Sequence, residues 1–106
     1  LRRSDTGEYQ EFNLSPYGAW WSAIFRGYRA RSSLAVEQSG VVCEVAREKD
    51  EYRTLLRYPR AALEQFGIDW NRDGCHLTAV ADGPIYLSSA PDRSVAPDFH
   101  RAQCFR

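Results

Sequence analysis

The sequence predicts an α+β fold in which two or three helices pack on a small antiparallel sheet. Apolar residues recur with helical period in two stretches, one before Gly40 and one after it. Nearer the C-terminal end, an alternating stretch, a Gly-Pro turn and a second apolar stretch indicate the sheet. The 106 residues, 43% of them hydrophobic, are expected to form one domain (1–106), with residues 1–14 and 92–106 irregular.

The first helix is predicted over about residues 16–31. Ser15 suits the N-cap position, and Pro16 suits the first helical position because its missing N–H is not needed there. The large apolar residues that follow are expected on one helix face: Tyr17, Trp20, Trp21, Ile24, Phe25 and Tyr28.

A second helix is predicted over about residues 41–57, because "EVAREKDEYRTLL" is rich in strong helix formers. Pro59 ends this helix and begins a short third one. Gly67 stands where a left-handed residue ends a helix, and Ile68 is expected to pack back on Leu63. The core-facing residues of the third helix are Ala62, Leu63 and Phe66.

After this helix the chain is predicted to form a turn, "WNRDG", and then two antiparallel strands. Apolar and polar residues alternate in "CHLTAVAD", Asp82-Gly83-Pro84 turns the chain, and "IYLSS" returns. The core predicted from all the elements contains Trp20, Trp21, Ile24, Phe25, Leu63, Phe66, Leu77, Ala79 and Leu87.

The charge balance narrows the expected partners. Fourteen basic and fourteen acidic residues give a formal net charge of +0. Nucleic acid and anionic membranes are therefore not expected partners, and no apolar run approaches the ~20 residues that span a bilayer. The chain contains no Met, which predicts a segment before Leu1. The compartment, cytoplasmic or periplasmic and secreted, stays open.

No sequence motif predicts a catalytic residue, a metal or a cofactor. The pair His100 and Cys104 has the spacing of half a zinc site. The other pair, Cys75 and His76, is adjacent on a predicted strand, so the two side chains point to opposite faces and cannot easily share an ion. An enzyme is therefore not expected, although a small hydrolase using one of the histidines stays an outside alternative.

The aromatic face of the first predicted helix is the candidate binding surface. Aromatic residues at helical spacing pack into a core, but Trp, Tyr and Arg also dominate the energy of protein interfaces. The second interpretation predicts docking on a protein or peptide, or on a second copy of the chain as a homodimer, with part of the Trp20/Trp21 face exposed in the monomer. The residues predicted to bind are Trp20, Trp21, Phe25, Arg26, Tyr28 and Arg29, with Arg31 beside them.

One segment resembles a known family. "VVCEVAREKDEYRTLLRYPRAALEQFGID" and the following "LTAVADGPIYLSSAP" are similar to a segment shared by nitrile hydratase alpha subunits and nitrile-hydratase-like leader peptides. The resemblance covers about residues 41–91 and implies a helix, a Gly-Ile stop and a strand pair. The three-cysteine cluster of the hydratase metal centre is absent, since only Cys43 lies near its place, so hydratase catalysis is not implied.

Two functions follow as expectations. The first is a small non-catalytic recognition protein that docks on a protein or peptide partner. The resemblance implies that this partner is a peptide-modifying enzyme. The alternative is a small secreted inhibitor or immunity-type protein that blocks a partner's active site. A disulfide between Cys75 and Cys104 would favour the second, because such bridges persist in oxidising compartments.

Overall fold

A computed structural model describes residues 1–36 and 38–75 and the strands at 78–81 and 85–88, the last two by their backbone alone. Within these residues there are three antiparallel sheets and one short helix. The first sheet has the order β1-β2-β3, and β4-β5 and β6-β7 are separate pairs. The elements are β1 Tyr9–Leu14, β2 Trp20–Gly27, β3 Ala30–Arg31, β4 Val42–Glu48, β5 Glu51–Arg57, α1 Arg60–Phe66, β6 Thr78–Ala81 and β7 Ile85–Ser88.

The predicted fold class is wrong, because the described chain is mostly strand and has one helix of seven residues. The helix predicted over 16–31 is instead a turn followed by β2 and β3. Consecutive residues Ala23, Ile24 and Phe25 are all buried, so β2 is covered on both faces at this point. A strand buried on both faces carries a continuous apolar run, and such a run can fit a helical period as well.

The helix predicted over 41–57 is also wrong, because β4 and β5 form a hairpin there. Lys49 and Asp50 form its two-residue turn, which lacks the Asn-Gly or Asp-Gly signal of many hairpins. The strong helix formers of this segment are overridden by pairing between the two halves. Cross-strand contacts hold such a pair, with Cys43 opposite Leu56 and Val45 opposite Thr54.

Residues 1–14, which the sequence predicts to be irregular, contain a strand. Residues 9–14 form β1, which pairs with β2 from Tyr9 opposite Phe25 to Leu14 opposite Trp20. Tyr9 is 2% exposed, and its ring stacks on the Phe25 ring with centroids 4.8 Å apart. Tyr9 therefore anchors β1 on the core.

The third predicted helix and its ending are confirmed by α1. Gly67 has φ 96°, its N–H donates to the Glu64 carbonyl, and the Ile68 N–H donates to the Leu63 carbonyl at 3.0 Å. These two bonds form the Schellman ending. The β6–β7 pair confirms the predicted strand pair within narrower bounds. The predicted turn at 82–84 and tail at 92–106 lie outside the described residues.

The core differs in membership from the predicted one. The buried apolar residues among those described are Tyr9, Ala23, Ile24, Phe25, Leu63 and Ile68. Ile24, Phe25 and Leu63 confirm the prediction, whereas Trp20 and Phe66 are half-buried and Trp21 is 50% exposed. Leu77 and the side chains of Ala79 and Leu87 lie outside the described residues.

Candidate functional site: a groove beside the open edge of β2

Strand β2 is paired with β1 over most of its length on one side and with β3 only near its end on the other. On the β1 side, the pairing runs from Phe25 back to Trp20. On the other side, β3 reaches only Phe25 and Gly27. The Ser32 N–H also donates to the Ile24 carbonyl at 2.8 Å. Within the described part of the chain, residues 20–23 therefore have no strand beside them on this edge.

The backbone groups that face this edge follow from the hairpin geometry. The Ser15 N–H donates to the Ala19 carbonyl at 2.8 Å, which makes these two residues a hydrogen-bonded pair. Such pairs alternate along an antiparallel ladder, so Trp21 bonds toward β1 while Trp20 and Ser22 direct their N–H and C=O groups to the open edge. The bond from the Ser32 N–H to the Ile24 carbonyl agrees with this alternation, because Ile24 also directs its carbonyl away from β1.

A groove of about 500 Å³ lies along this edge. Its two indoles come from adjacent strand residues, so Trp20 and Trp21 project from opposite faces of the sheet and stand on either side of the edge. Arg31 adds a positive charge, and Trp21 is half exposed. The full lining is Trp20, Trp21, Ser22, Arg31 and Gln38.

The structure does not bring the predicted binding residues together on one face. Trp20 and Trp21 lie at the groove, but Phe25 is 8% exposed and belongs to the core. Arg26 is exposed on β2. At the β2–β3 turn, Tyr28 is 58% exposed and the Arg29 guanidinium carbon lies 5.3 Å from its ring centroid.

Two groove residues were missed by the sequence analysis. Ser22 lies between residues that suited a helical face, and only the alternation of a strand would have placed it at the edge. Gln38 lies in the polar segment after β3, where no local pattern indicates a contact with β2. Arg31, which the sequence placed beside the aromatic residues, does line the groove.

A second cavity, of about 510 Å³, lies beside Ile24 and Phe66. Several of its polar side chains already bond to one another or to neighbours. The Gln10 amide nitrogen donates to Ser22 Oγ at 3.0 Å and to Tyr58 Oη at 3.3 Å. The Arg3 guanidinium donates to Asp5, to Glu8 and to the Phe66 carbonyl. The donors of Gln10 and Arg3 are therefore already engaged within the chain.

The described residues contain no group of three or more His, Cys, Asp or Glu side chains placed to hold a metal ion. Among them there is also no helix long and apolar enough to cross a membrane. Cys75 is exposed, and Cys104 lies outside the described residues, so the disulfide between them stays a prediction.

Comparison with known proteins finds no matching family model, no matching curated protein and no matching solved structure. The comparisons therefore do not bear on the resemblance to nitrile hydratase alpha subunits and the related leader peptides, which stays a prediction. The helix implied for its first half is replaced by the β4–β5 hairpin.

Proposed function

We propose that this protein is a non-catalytic recognition protein that binds an extended segment of a protein or peptide partner along the open edge of β2. The observation that carries this proposal is the groove beside residues 20–23, where two indoles lie next to strand backbone that no other described strand pairs with. A peptide that adds a strand to such an edge gains main-chain hydrogen bonds, and the flanking side chains select its sequence.

The side chains at the groove suit this role. Trp and Arg are enriched among the residues that dominate binding energy, because they offer large contact areas and directed donors. Trp21 exposes half of its surface in the free chain, so a partner can bury it on binding. Arg31 would favour an acidic residue in the bound segment, because the Arg31 side chain lines the groove and carries a positive charge.

Selection from a library of displayed extended peptides on the immobilised protein tests this function. We expect the selection to enrich peptides in which apolar and polar residues alternate and which contain an acidic residue. Trp21→Ala is expected to weaken their binding at least tenfold, because the exposed indole is the largest apolar surface at the groove. Arg31→Glu should reverse the preference for acidic residues.

Trp70→Ala is the matched control, because Trp70 is 47% exposed but lies outside the groove lining. Binding that falls equally in the Trp21 and Trp70 variants would show a nonspecific aromatic effect and contradict the proposal. The alternative predicted from the sequence, a secreted inhibitor, depends on the unsettled Cys75–Cys104 bridge.

A further inference from the structure

The β4–β5 hairpin presents a second strand edge, on β5. Within the described residues β5 pairs with β4 alone. Its contacts with the β1–β2 turn include a bond from Thr54 Oγ1 to the Ser15 carbonyl at 3.3 Å and the packing of the Tyr52 ring against Tyr17. An isolated two-stranded hairpin is only marginally stable in water, so further pairing would strengthen this one.

The outward backbone groups of β5 are set by the turn. Glu48 and Glu51 flank a two-residue turn and therefore form a hydrogen-bonded pair. Alternation from this pair directs the N–H and C=O groups of three β5 residues away from β4. These residues are Tyr52, Thr54 and Leu56.

We infer that two copies of this chain associate through β5, antiparallel and centred on Thr54, so that the two hairpins form one four-stranded sheet. In this register the outward groups of Tyr52 meet those of Leu56 of the second copy, and Thr54 meets itself. Glu51 then lies opposite Arg57 of the second copy, and the two-fold axis repeats this ion pair. The charges of β5 are thus complementary to themselves.

Neighbouring registers lack this complementarity. Centring the pair on Arg53 places two arginines opposite each other, and centring it on Leu55 places Arg53 opposite Arg57. Like charges directly opposite destabilise a strand pair. Pairing through β4 centred on Ala46 would place Glu44 opposite Glu48. The charge pattern of β5 therefore favours the Thr54 register over the two registers beside it.

The exposed apolar side chains add to the case. Tyr52 is 46% exposed and Leu55 is 48% exposed, although both lie on a paired strand. A second copy would cover part of both side chains. The existing ion pairs, Arg57 with Glu44 at 2.7 Å and Arg53 with Glu51 at 2.8 Å, would join the new pairs in one network across the dimer.

Sedimentation of the full chain over a concentration series, with two charge reversals, tests this inference. Glu51→Arg makes every cross-dimer pair Arg–Arg, and Arg57→Glu makes every pair Glu–Glu. Each variant alone is expected to dimerise at least tenfold more weakly than the native chain. An equimolar mixture restores two opposite-charge pairs, so the mixture is expected to recover native association.

Arg26→Glu is the control, since it makes the same charge change as Arg57→Glu at an exposed position of another sheet and should leave association unchanged. Trp21→Ala should also leave it unchanged, because Trp21 lies on another sheet. A native chain that stays monomeric throughout the series would overturn the inference. So would single variants that associate like the native chain, or a mixture that stays monomeric.

Discussion

Gly67 allows the N-terminal segment to cross the end of α1. Its φ of 96° is in the left-handed region, and a Cβ built there would lie 2.8 Å from the Arg3 guanidinium carbon. That guanidinium donates to the Phe66 carbonyl at 3.1 Å, at the helix C-terminus, where a positive charge is favourable. Gly67 therefore both ends the helix and leaves room for the Arg3 side chain.

Gly67→Ala is expected to lower the free energy of unfolding by roughly 1–3 kcal/mol, because the new methyl group meets both backbone strain and the Arg3 side chain. Urea unfolding measures the change. Gly27→Ala is the control, since no atom lies within 4 Å of its built Cβ, and its effect should stay within about 0.5 kcal/mol. Equal losses in both variants would contradict the special role of Gly67.

Asp73 ties the N-terminal segment to the turn after α1. Its side chain is fully buried and accepts bonds from the Ser4 N–H and Oγ at 2.9 Å, the Asp69 N–H at 2.8 Å and the Arg72 guanidinium at 3.2 Å. Burial acts to raise the pKa of Asp73, but the bonds from Asp69, Ser4 and Arg72 together hold this pKa well below its usual range.

Asp73→Asn is expected to cost roughly 2 kcal/mol of unfolding free energy at neutral pH, because the amide cannot accept all four bonds. The native carboxylate has a depressed pKa, so its contribution is complete above the unfolded value of about 3.9 and is lost as pH falls further. The gap between native and variant chains should therefore narrow between about pH 5 and pH 2.5. A gap that stays constant in unfolding measurements across this range would count against the assignment.

At the scale of elements, β2 combines a core strand with an open edge. Its residues 23–25 are buried, whereas its first residues line the groove. The five-residue connection between β1 and β2 sets the register, with Leu14 opposite Trp20. That register decides which backbone groups of β2 remain available to a partner.

Hydrogen exchange followed by NMR should show this alternation. The amides of Trp20 and Ser22 are expected to exchange faster than those of Trp21 and Ala23, because only the latter pair bonds to β1. A peptide selected on the protein should slow exchange at Trp20 and Ser22 and leave the other two nearly unchanged. Protection confined to distant amides would place the peptide elsewhere.

At the scale of the whole molecule, many large apolar side chains stay exposed for a chain of this size. Among the described residues Tyr17 is 81% exposed, Trp21 50% and Trp70 47%, besides the exposed residues of the β4–β5 hairpin. Single exposed apolar residues are ordinary, but clusters beside open strand edges mark interaction surfaces. The proposed peptide groove and the inferred β5 dimer account for two such clusters.

The tryptophan exposure is directly measurable. The chain has three tryptophans, and acrylamide is expected to quench the native fluorescence strongly, because two of them are about half exposed. The double variant Trp21→Phe and Trp70→Phe leaves Trp20, which is half-buried, and should be quenched less. Native fluorescence that resists quenching would mean that the Trp21 face is core.

The site was predicted only in part. Trp20, Trp21 and Arg31 could be named although the predicted helix is wrong, because their residue types are typical of interfaces whatever structure holds them. Phe25 was assigned to the same surface on the assumption of one helix face, and on a strand it belongs to the buried Tyr9 cluster instead. The open edge itself could not be predicted, because it depends on where β3 stops pairing.

Features with local signals can be predicted from the sequence alone. Pro59 and Gly67 mark the two ends of α1, the "WNRDG" segment is a turn, and the alternation before Asp82 marks β6. Each depends on a fixed φ, a missing N–H or a period of two within a few residues. These signals can be recognised without knowing which distant residues pack against the element.

Long-range pairing sets the secondary structure of residues 16–31 and 41–57. Their aromatic and β-branched residues suit strands, while their spacing and several strong helix formers suit helices, so local preference alone could not choose. Pairing of β2 with β1 and of β4 with β5 satisfies backbone groups across the chain and places Phe25 against Tyr9. Those contacts join residues far apart in sequence, and their free energy outweighs a local preference of a few tenths of a kcal/mol per residue.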